Sequence, residues 1–274
     1  MYYKHQLNYE YPHRPDEHMI TVKQVRHIDF DESYEYMPGG FKYKFMRVIY
    51  WLGINIIVFP LMRLTHGLRI YGRENIKKHK SQLKEGAITV ANHVFYWDYL
   101  CVLKAIRPHI AYFPAWKDNL EGPCGKLIRL SGGIPVPDEN FHAMIKFNKA
   151  IEGAIKDGKW VHFFPEGSMW FFYPDIRPLK KAVFHYAVKF DKPIIPISMS
   201  FRPRKGIMKL FGKKPLVDLH IGEPIFRDKT LDTKAAEDEM RRTAYHVMQV
   251  MNGVNPGDPT YNSVCNSALY KKTM

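Results

Sequence analysis

The stretch AITVANHVFYWD, residues 87–98, decides how this chain is read. Its first four residues form a short apolar run of the kind that fills a buried strand, and Asn92, His93 and Asp98 follow at the strand's carboxyl end. Val94, Phe95, Tyr96 and Trp97 separate the histidine from the aspartate. Two readings fit. Either Asn92 or His93 caps the helix that follows, or His93 is a catalytic base held by Asp98. The second carries a geometric condition. Five positions at about 100° each leave the two side chains about 140° apart on a regular helix, so a His93–Asp98 hydrogen bond requires a loop or a distorted first turn.

Outward from this stretch the chain alternates strand-like and helix-like pieces. GAITVAN (86–92) reads as a strand and 96–106 as a helix; HIAYFPA (109–115) is a second strand, followed by a helical stretch over 120–130. GGIPV (132–136) is a short strand. Asp138 then reads as the N-cap of a helix whose apolar face is Phe141, Met144, Ile145, Ile151, Ala154 and Ile155, with Gly158 at its end. WVHFFP (160–165) is a strand, 179–190 a helix and KPIIPISMSF (192–201) a strand. LVDLHIGEPI (216–225) reads as an edge strand, and 232–254 as a last helix with Ala236, Met240, Ala244, Val247 and Met251 at helical spacing. The alternation predicts an α/β fold with a mixed central sheet layered by helices over 67–256. Residues 257–274 read as a polar C-terminal tail, and neither a repeat nor a low-complexity tract stands out.

Charge is the unusual bulk property. The 274 residues carry 41 Lys+Arg against 27 Asp+Glu, a formal net charge of +14, while 46% hydrophobic and 25% charged residues are ordinary for a globular chain. Such an excess favours anionic partners: nucleic acid, acidic membrane or phosphorylated substrate. Nucleic acid is disfavoured, because the cations are dispersed and no nucleic-acid-binding motif is present. Cys101, Cys124 and Cys265 lack metal-ligand spacing and read as reduced thiols on the cytosolic side.

Residues 1–40, with NYEYPHRPDEH and DFDESYEYMPGG, read as a polar, extended or weakly ordered arm without a cleavable signal. Hydrophobicity then rises in FKYKFMRVIYWLGINIIVFPLMR (41–63), where 48–62 contain no charge. A helix over those residues reaches about 22 Å, short of the roughly 30 Å hydrocarbon core, and Pro60 would end or kink it. Tyr50 and Trp51, with Lys42, Lys44, Arg47 and Arg63 at the flanks, suit a segment (41–66) that associates with an anionic leaflet without a full span. A core helix of the soluble domain is the competing reading of the same run.

Alone, H-x4-D is weak, since 13 histidines make a chance match nearly expected. Three more clusters stand beside it: Gly132-Gly133-Ile134-Pro135-Val136, Phe164-Pro165-Glu166-Gly167-Ser168 and Ile194-Ile195-Pro196-Ile197. In this order the four resemble the glycerolipid acyltransferase family, whose best-known members are 1-acyl-sn-glycerol-3-phosphate (lysophosphatidic acid) acyltransferases. YGRENI (71–76) resembles the segment before the family's first catalytic strand, and the likeness covers about 70–201.

The resemblance implies an acyl transfer from acyl-CoA or acyl carrier protein to the hydroxyl of a lysophospholipid. His93 would be the base and Asp98 its orienter; Glu166, Gly167 and Ser168, with Gly133, Ile134 and Pro135, would belong to the acceptor site. Neither metal nor bound cofactor is implied. Two family arginines are missing, their places held by Pro137 or Asp138 and by Met169. Lys117 in AWKDNL and Lys180 in LKKA match family lysines, so phosphate binding would fall to Lys117, Lys180, Arg177 or Arg202, or else the acceptor is another lysolipid or alcohol. A non-catalytic lipid-binding relative is the further alternative. The expected location is the cytoplasmic face of the cell membrane, peripheral or monotopic.

Overall fold

The computed structural model describes residues 9–15, 17–137 and 140–253. The tail at 257–274, the end of the last helix at Val254, the Asp138 cap and the first eight residues of the arm lie outside them. Seven strands, β1 (Arg69–Tyr71), β2 (Ile88–Ala91), β3 (Ala111–Trp116), β4 (Gly133–Val136), β5 (Trp160–Phe163), β6 (Ile194–Arg202) and β7 (Leu216–Ile221), form one sheet. Their order is β1-β7-β6-β2-β5-β3-β4. β2 pairs in parallel with β5 and β6, β3 in parallel with β5 and β4, while β6 and β7 are antiparallel. The sheet is mixed, as the sequence predicts.

All four residues of β2 are buried, which explains the continuous apolar run: a parallel strand with both faces covered has no polar side. Ile88 and Val90 face one layer, formed by helices Phe141–Lys156, Ala182–Lys189 and Thr233–Met251. Ala87 and Ala91 face the other, formed by helix Asp98–Ala105 together with Trp51, Ile54, Phe59 and Met62 of the apolar segment. Asp232 caps the last helix by accepting a bond from the Ala235 amide at 2.9 Å, worth about 1 kcal/mol.

Several expectations are corrected. β7 is not an edge strand, because it lies between β6 and β1; the three-residue β1 at the edge is too short to show a period. The stretch 120–130 is two short helices, Lys117–Glu121 and Gly125–Ser131. Asn140 caps the next helix, its side chain accepting from the Ala143 amide at 3.1 Å. That helix buries Ala143, Phe147, Ile151, Ala154 and Ile155, whereas Phe141 stands 71% exposed. The helix expected from Leu179 starts at Ala182, leaving a long loop after β5.

The described residues of the N-terminal arm are extended, without helix or strand, yet pinned to the domain. Phe30 and Tyr36 are buried, and Arg129 donates to the Tyr34 hydroxyl and to the Glu35 and Gly133 carbonyls. The apolar segment is helical from Phe41 to Thr65, 25 residues, with a π-helical turn at Ile54–Val58 that absorbs Pro60 two residues later. At about 1.5 Å per residue it reaches about 37 Å, so the expectation of a helix too short to cross is overturned: this one helix is long and apolar enough to do so. Only 22% of its apolar window is buried, so most of that window faces outward, while Trp51, Ile54, Phe59 and Met62 pack into the core. Arg47 bends back onto the domain, donating to the Tyr112 hydroxyl at 2.7 Å.

Candidate active site

Since β2, β3, β4 and β5 run in the same direction, their carboxyl ends share one edge of the sheet, where open α/β folds place their ligands. β2 delivers Asn92 and His93 to that edge. Asn92 caps no helix: its side chain exchanges two bonds with the Met199 backbone, 2.9 and 2.8 Å, and so locks β2 to β6. His93 places Nδ1 2.6 Å from Asp98 Oδ2. The intervening residues are a non-helical turn and the helix starts at Asp98 itself, which meets the geometric condition stated above.

The turn is built around the carboxylate. Asp98 Oδ2 also accepts from the Val94 amide at 2.9 Å, and Oδ1 accepts from the Tyr99 amide at 2.7 Å. Val94 and Phe95 are buried beneath, anchoring the turn by packing. A carboxylate only accepts hydrogen bonds, so Nδ1 carries the imidazole proton and Nε2 the lone pair. The His93 side chain is 24% exposed and stacks on Phe164, ring centroids 4.1 Å apart. Among the described residues Nε2 has no hydrogen-bond partner.

The loop after β5 is tied to the same turn from below. Glu166 is buried; Oε2 accepts from the His93 amide at 2.9 Å, and Oε1 accepts from the Arg177 amide at 2.7 Å. The Arg177 guanidinium completes an ion pair with Glu166 at 2.9 Å and also bonds Ser168 Oγ, the Ser168 carbonyl and the Pro15 carbonyl. Arg177 and Ser168 are thereby enclosed under the arm, with the guanidinium, proposed from the sequence for phosphate, buried and bonded to groups of the protein itself. Arg202 fares the same way, paired with Asp218 and bonded to the Gly67 carbonyl. Gly167 turns with φ +91°, and the Lys180 side chain lies where a Cβ would stand, 2.7 Å from its Nζ. Lys180 is exposed beside this turn, and Lys117 opens the helix at the end of β3, so both sit on the sheet edge that carries His93.

Gly133, Ile134 and Pro135 lie on β4, separated from β2 by β3 and β5. Ile134 is core, and Gly133 permits the close approach of Ile128. These three shape the edge strand rather than line the histidine. Cys101 is fully buried, and burial pushes its thiol well above the ordinary range, so it supplies no thiolate.

Three features escape the sequence reading. His162 on β5 is buried, its Nδ1 2.8 Å from Thr89 Oγ1; burial, then the proximity of His93, push it down to about 3, so it stays neutral. It abuts the edge of Phe164, the ring on which His93 stacks. Its one signal is its place in the alternation of WVHFF. The arm covers the loop after β5: Tyr11 stacks on Trp170, the Glu17 carbonyl accepts from Trp170 Nε1 at 3.1 Å, and His18 stacks on Trp116. An aromatic patch of Tyr96, Phe171 and Phe172 adjoins Tyr9 of the arm.

An acyltransferase family model matches residues 67–200, the span from β1 to most of β6. An uncharacterized acyltransferase of Schizosaccharomyces pombe is 28% identical over 138 residues, 50% of this chain and 48% of that protein. The chain thus spans about half the length of that curated relative. The crystal structure of the 1-acyl-sn-glycerophosphate (LPA) acyltransferase PlsC from Thermotoga maritima is similar with a TM-score of 0.46 and 20% identity, over 75% of this chain and 79% of that one.

Proposed function

Through residues 67–200 the chain belongs to the acyltransferase family, and from that premise we propose that it moves a fatty acyl group from acyl-CoA or acyl carrier protein to the free hydroxyl of a lysophospholipid. The acceptor proposed is 1-acyl-sn-glycerol-3-phosphate, giving phosphatidic acid. The observation that carries the reading is the unpartnered Nε2 of His93, with Nδ1 fixed on a buried carboxylate. The acceptor hydroxyl gives its proton to Nε2 as its oxygen attacks the thioester carbonyl. Asp98 holds the tautomer and stabilises the imidazolium. The tetrahedral intermediate then expels the thiol, the C–S bond breaks, and the imidazolium returns the proton to sulfur. The acceptor oxygen is itself the nucleophile, so the inert Cys101 is not needed. Lys117 and Lys180 are the cations proposed to meet the acceptor phosphate.

The same proposal sets the protein on the cytoplasmic face of a membrane, as a peripheral or monotopic enzyme. Its support is an apolar surface in two parts. One is the helix Phe41–Thr65, where Ile56, Ile57 and Leu61 are exposed; the other is the 3₁₀ turn Gly206–Phe211, where Ile207 is 71% and Leu210 81% exposed. Lys205, Lys209, Lys213 and Lys214 surround that turn, a combination suited to an anionic leaflet. Pro137 or Asp138, and Met169, at the two arginine positions favour one second reading, a different lysolipid or alcohol acceptor.

The test is transfer by purified wild type, His93→Ala and Asp98→Asn over a panel of lysolipids at fixed thioester. A loss of about 10²- to 10⁴-fold in kcat/KM is expected for His93→Ala, the range of a general base. Turnover near wild type in that variant overturns the mechanism, and the best acceptor of the panel decides between the two readings.

A further inference from the structure

A second constellation of charge lies at the opposite end of the helix that begins with Asp98. Because β2 and β3 are parallel, this helix (Asp98–Ala105) carries the chain back toward the amino ends of the strands, and Lys104 in its last turn is about 9 Å along the axis from Asp98. There an open pocket of about 470 Å³ is lined by four cations, Arg63, Arg73, Lys104 and Arg107, with Asn55, Phe59 and Pro60. It shares no residue with the His93 site.

Three of the four cations are held in place by neutral groups. Arg73 donates to the Lys104 carbonyl at 2.6 Å, Lys104 to the Phe59 carbonyl at 3.2 Å, and Arg107 to Asn55 Oδ1. Lys104 also lies over the Phe59 ring and Arg107 over the Trp51 ring, at 4.9 and 5.9 Å. Among the described residues none of the four stands within ion-pair distance of a carboxylate, whereas Lys78, at the end of the helix that Arg73 opens, pairs with Glu223 at 3.0 Å. Burial, followed by the like charges of Arg73 and Arg63, lowers the ammonium of Lys104. Positive charge is thus gathered without compensation, and an anion would relieve it.

The walls say which anion. Asn55 belongs to the π-helical turn, and the neighbouring Ile56 and Ile57 are exposed, as are Leu61 and Leu64 one and two turns on. A pocket of cations therefore adjoins the apolar helical face proposed to meet lipid. A free phosphate would use only the cations. A phospholipid would use both surfaces, its phosphate in the pocket and its chains along the helix. We propose that this pocket binds the phosphate of an anionic membrane phospholipid, at a site separate from the one where acyl transfer occurs.

The full chain is titrated calorimetrically with dioctanoyl phosphatidylglycerol below its micelle concentration, and separately with dioctanoyl phosphatidylcholine, inorganic phosphate and coenzyme A. Saturable binding of the phosphatidylglycerol, at least tenfold tighter than of the other three, is expected. Arg73→Gln/Arg107→Gln should weaken it at least tenfold and Arg73→Lys/Arg107→Lys by much less. Lys146→Gln/Lys149→Gln, which removes the same charge from the exposed face of helix Phe141–Lys156 in the other layer, and His93→Ala should each change it less than twofold. Unchanged binding in the arginine-to-glutamine variant overturns the proposal, as does an equal loss in the lysine variant. Equal affinity for inorganic phosphate or coenzyme A overturns the lipid assignment, and equal affinity for phosphatidylcholine the anion requirement. A melting transition like that of wild type establishes that each variant is folded; if the double glutamine variant lacks one, Lys104→Gln is read in its place. Binding retained in His93→Ala with transfer abolished separates this site from the transfer chemistry, so that either can fail alone.

Discussion

The strand end at His93 and the helix Phe41–Thr65 solve opposite problems. At the strand end Asn92, Asp98 and Glu166 are buried, and each finds partners within the protein: Asn92 on Met199, Asp98 on the His93 ring and the Val94, Phe95 and Tyr99 amides, Glu166 on the His93 and Arg177 amides. On the helix, side chains such as Ile56, Ile57 and Leu61 are exposed. Each region offers something unmet outward, one imidazole nitrogen in the first case and a face of hydrocarbon in the second. Buried polar networks fix geometry because an unmet bond inside is costly, whereas exposed apolar faces fix only a preference for another medium.

The sharpest way to break the strand end is to remove one member of its ion pair. Arg177→Met leaves Glu166 charged and buried, and a loss of about 3–5 kcal/mol is expected, read as a lowered urea midpoint and accompanied by loss of transfer. A variant as stable as wild type would mean that Glu166 does not need its partner. A second, smaller effect follows from His162, whose folded value of about 3 lies below the roughly 6.5 of an unfolded histidine. The unfolded chain takes up a proton that the folded one refuses, so this contribution to stability is whole above pH 6.5 and is lost as pH falls toward 3. The slope is up to about 1.4 kcal/mol per pH unit. Urea unfolding at pH 7 and pH 5 should therefore show a steeper loss in wild type than in His162→Gln, and equal slopes would refute it. The helix side yields the smallest change. Ile56→Glu or Ile57→Glu should weaken flotation with anionic vesicles by about three- to tenfold each, with stability unchanged, since these side chains touch little inside the protein.

The same contrast explains what could be read in the sequence. β2, β5 and β6 were legible because strands covered on both faces leave unbroken apolar runs, and His93 and Asp98 were legible because their spacing is local. The IRPLKK around Arg177 reads like any charged surface, and only the fold brings Glu166, eleven residues earlier, beneath it. β7 alternates like a half-exposed strand, which suggested an edge, yet β1 closes it off. Lys104 and Arg73 converge from 31 residues apart, which no local period records.

The arm clasps the loop after β5 through the main-chain oxygens of Pro15 and Glu17 and through the side chains of Tyr9, Tyr11 and Met19. The main-chain half of this clasp is indifferent to spelling. At Pro15 and Glu17 it is the carbonyl that serves, whatever side chain it carries. Adding or deleting a single residue between Tyr11 and His18, by contrast, would slide every carbonyl out of step with the donor it serves. In this segment metre counts beside vocabulary: an arm that kept Tyr9, Tyr11, His18 and Met19 would still lose the clasp if it lost the count.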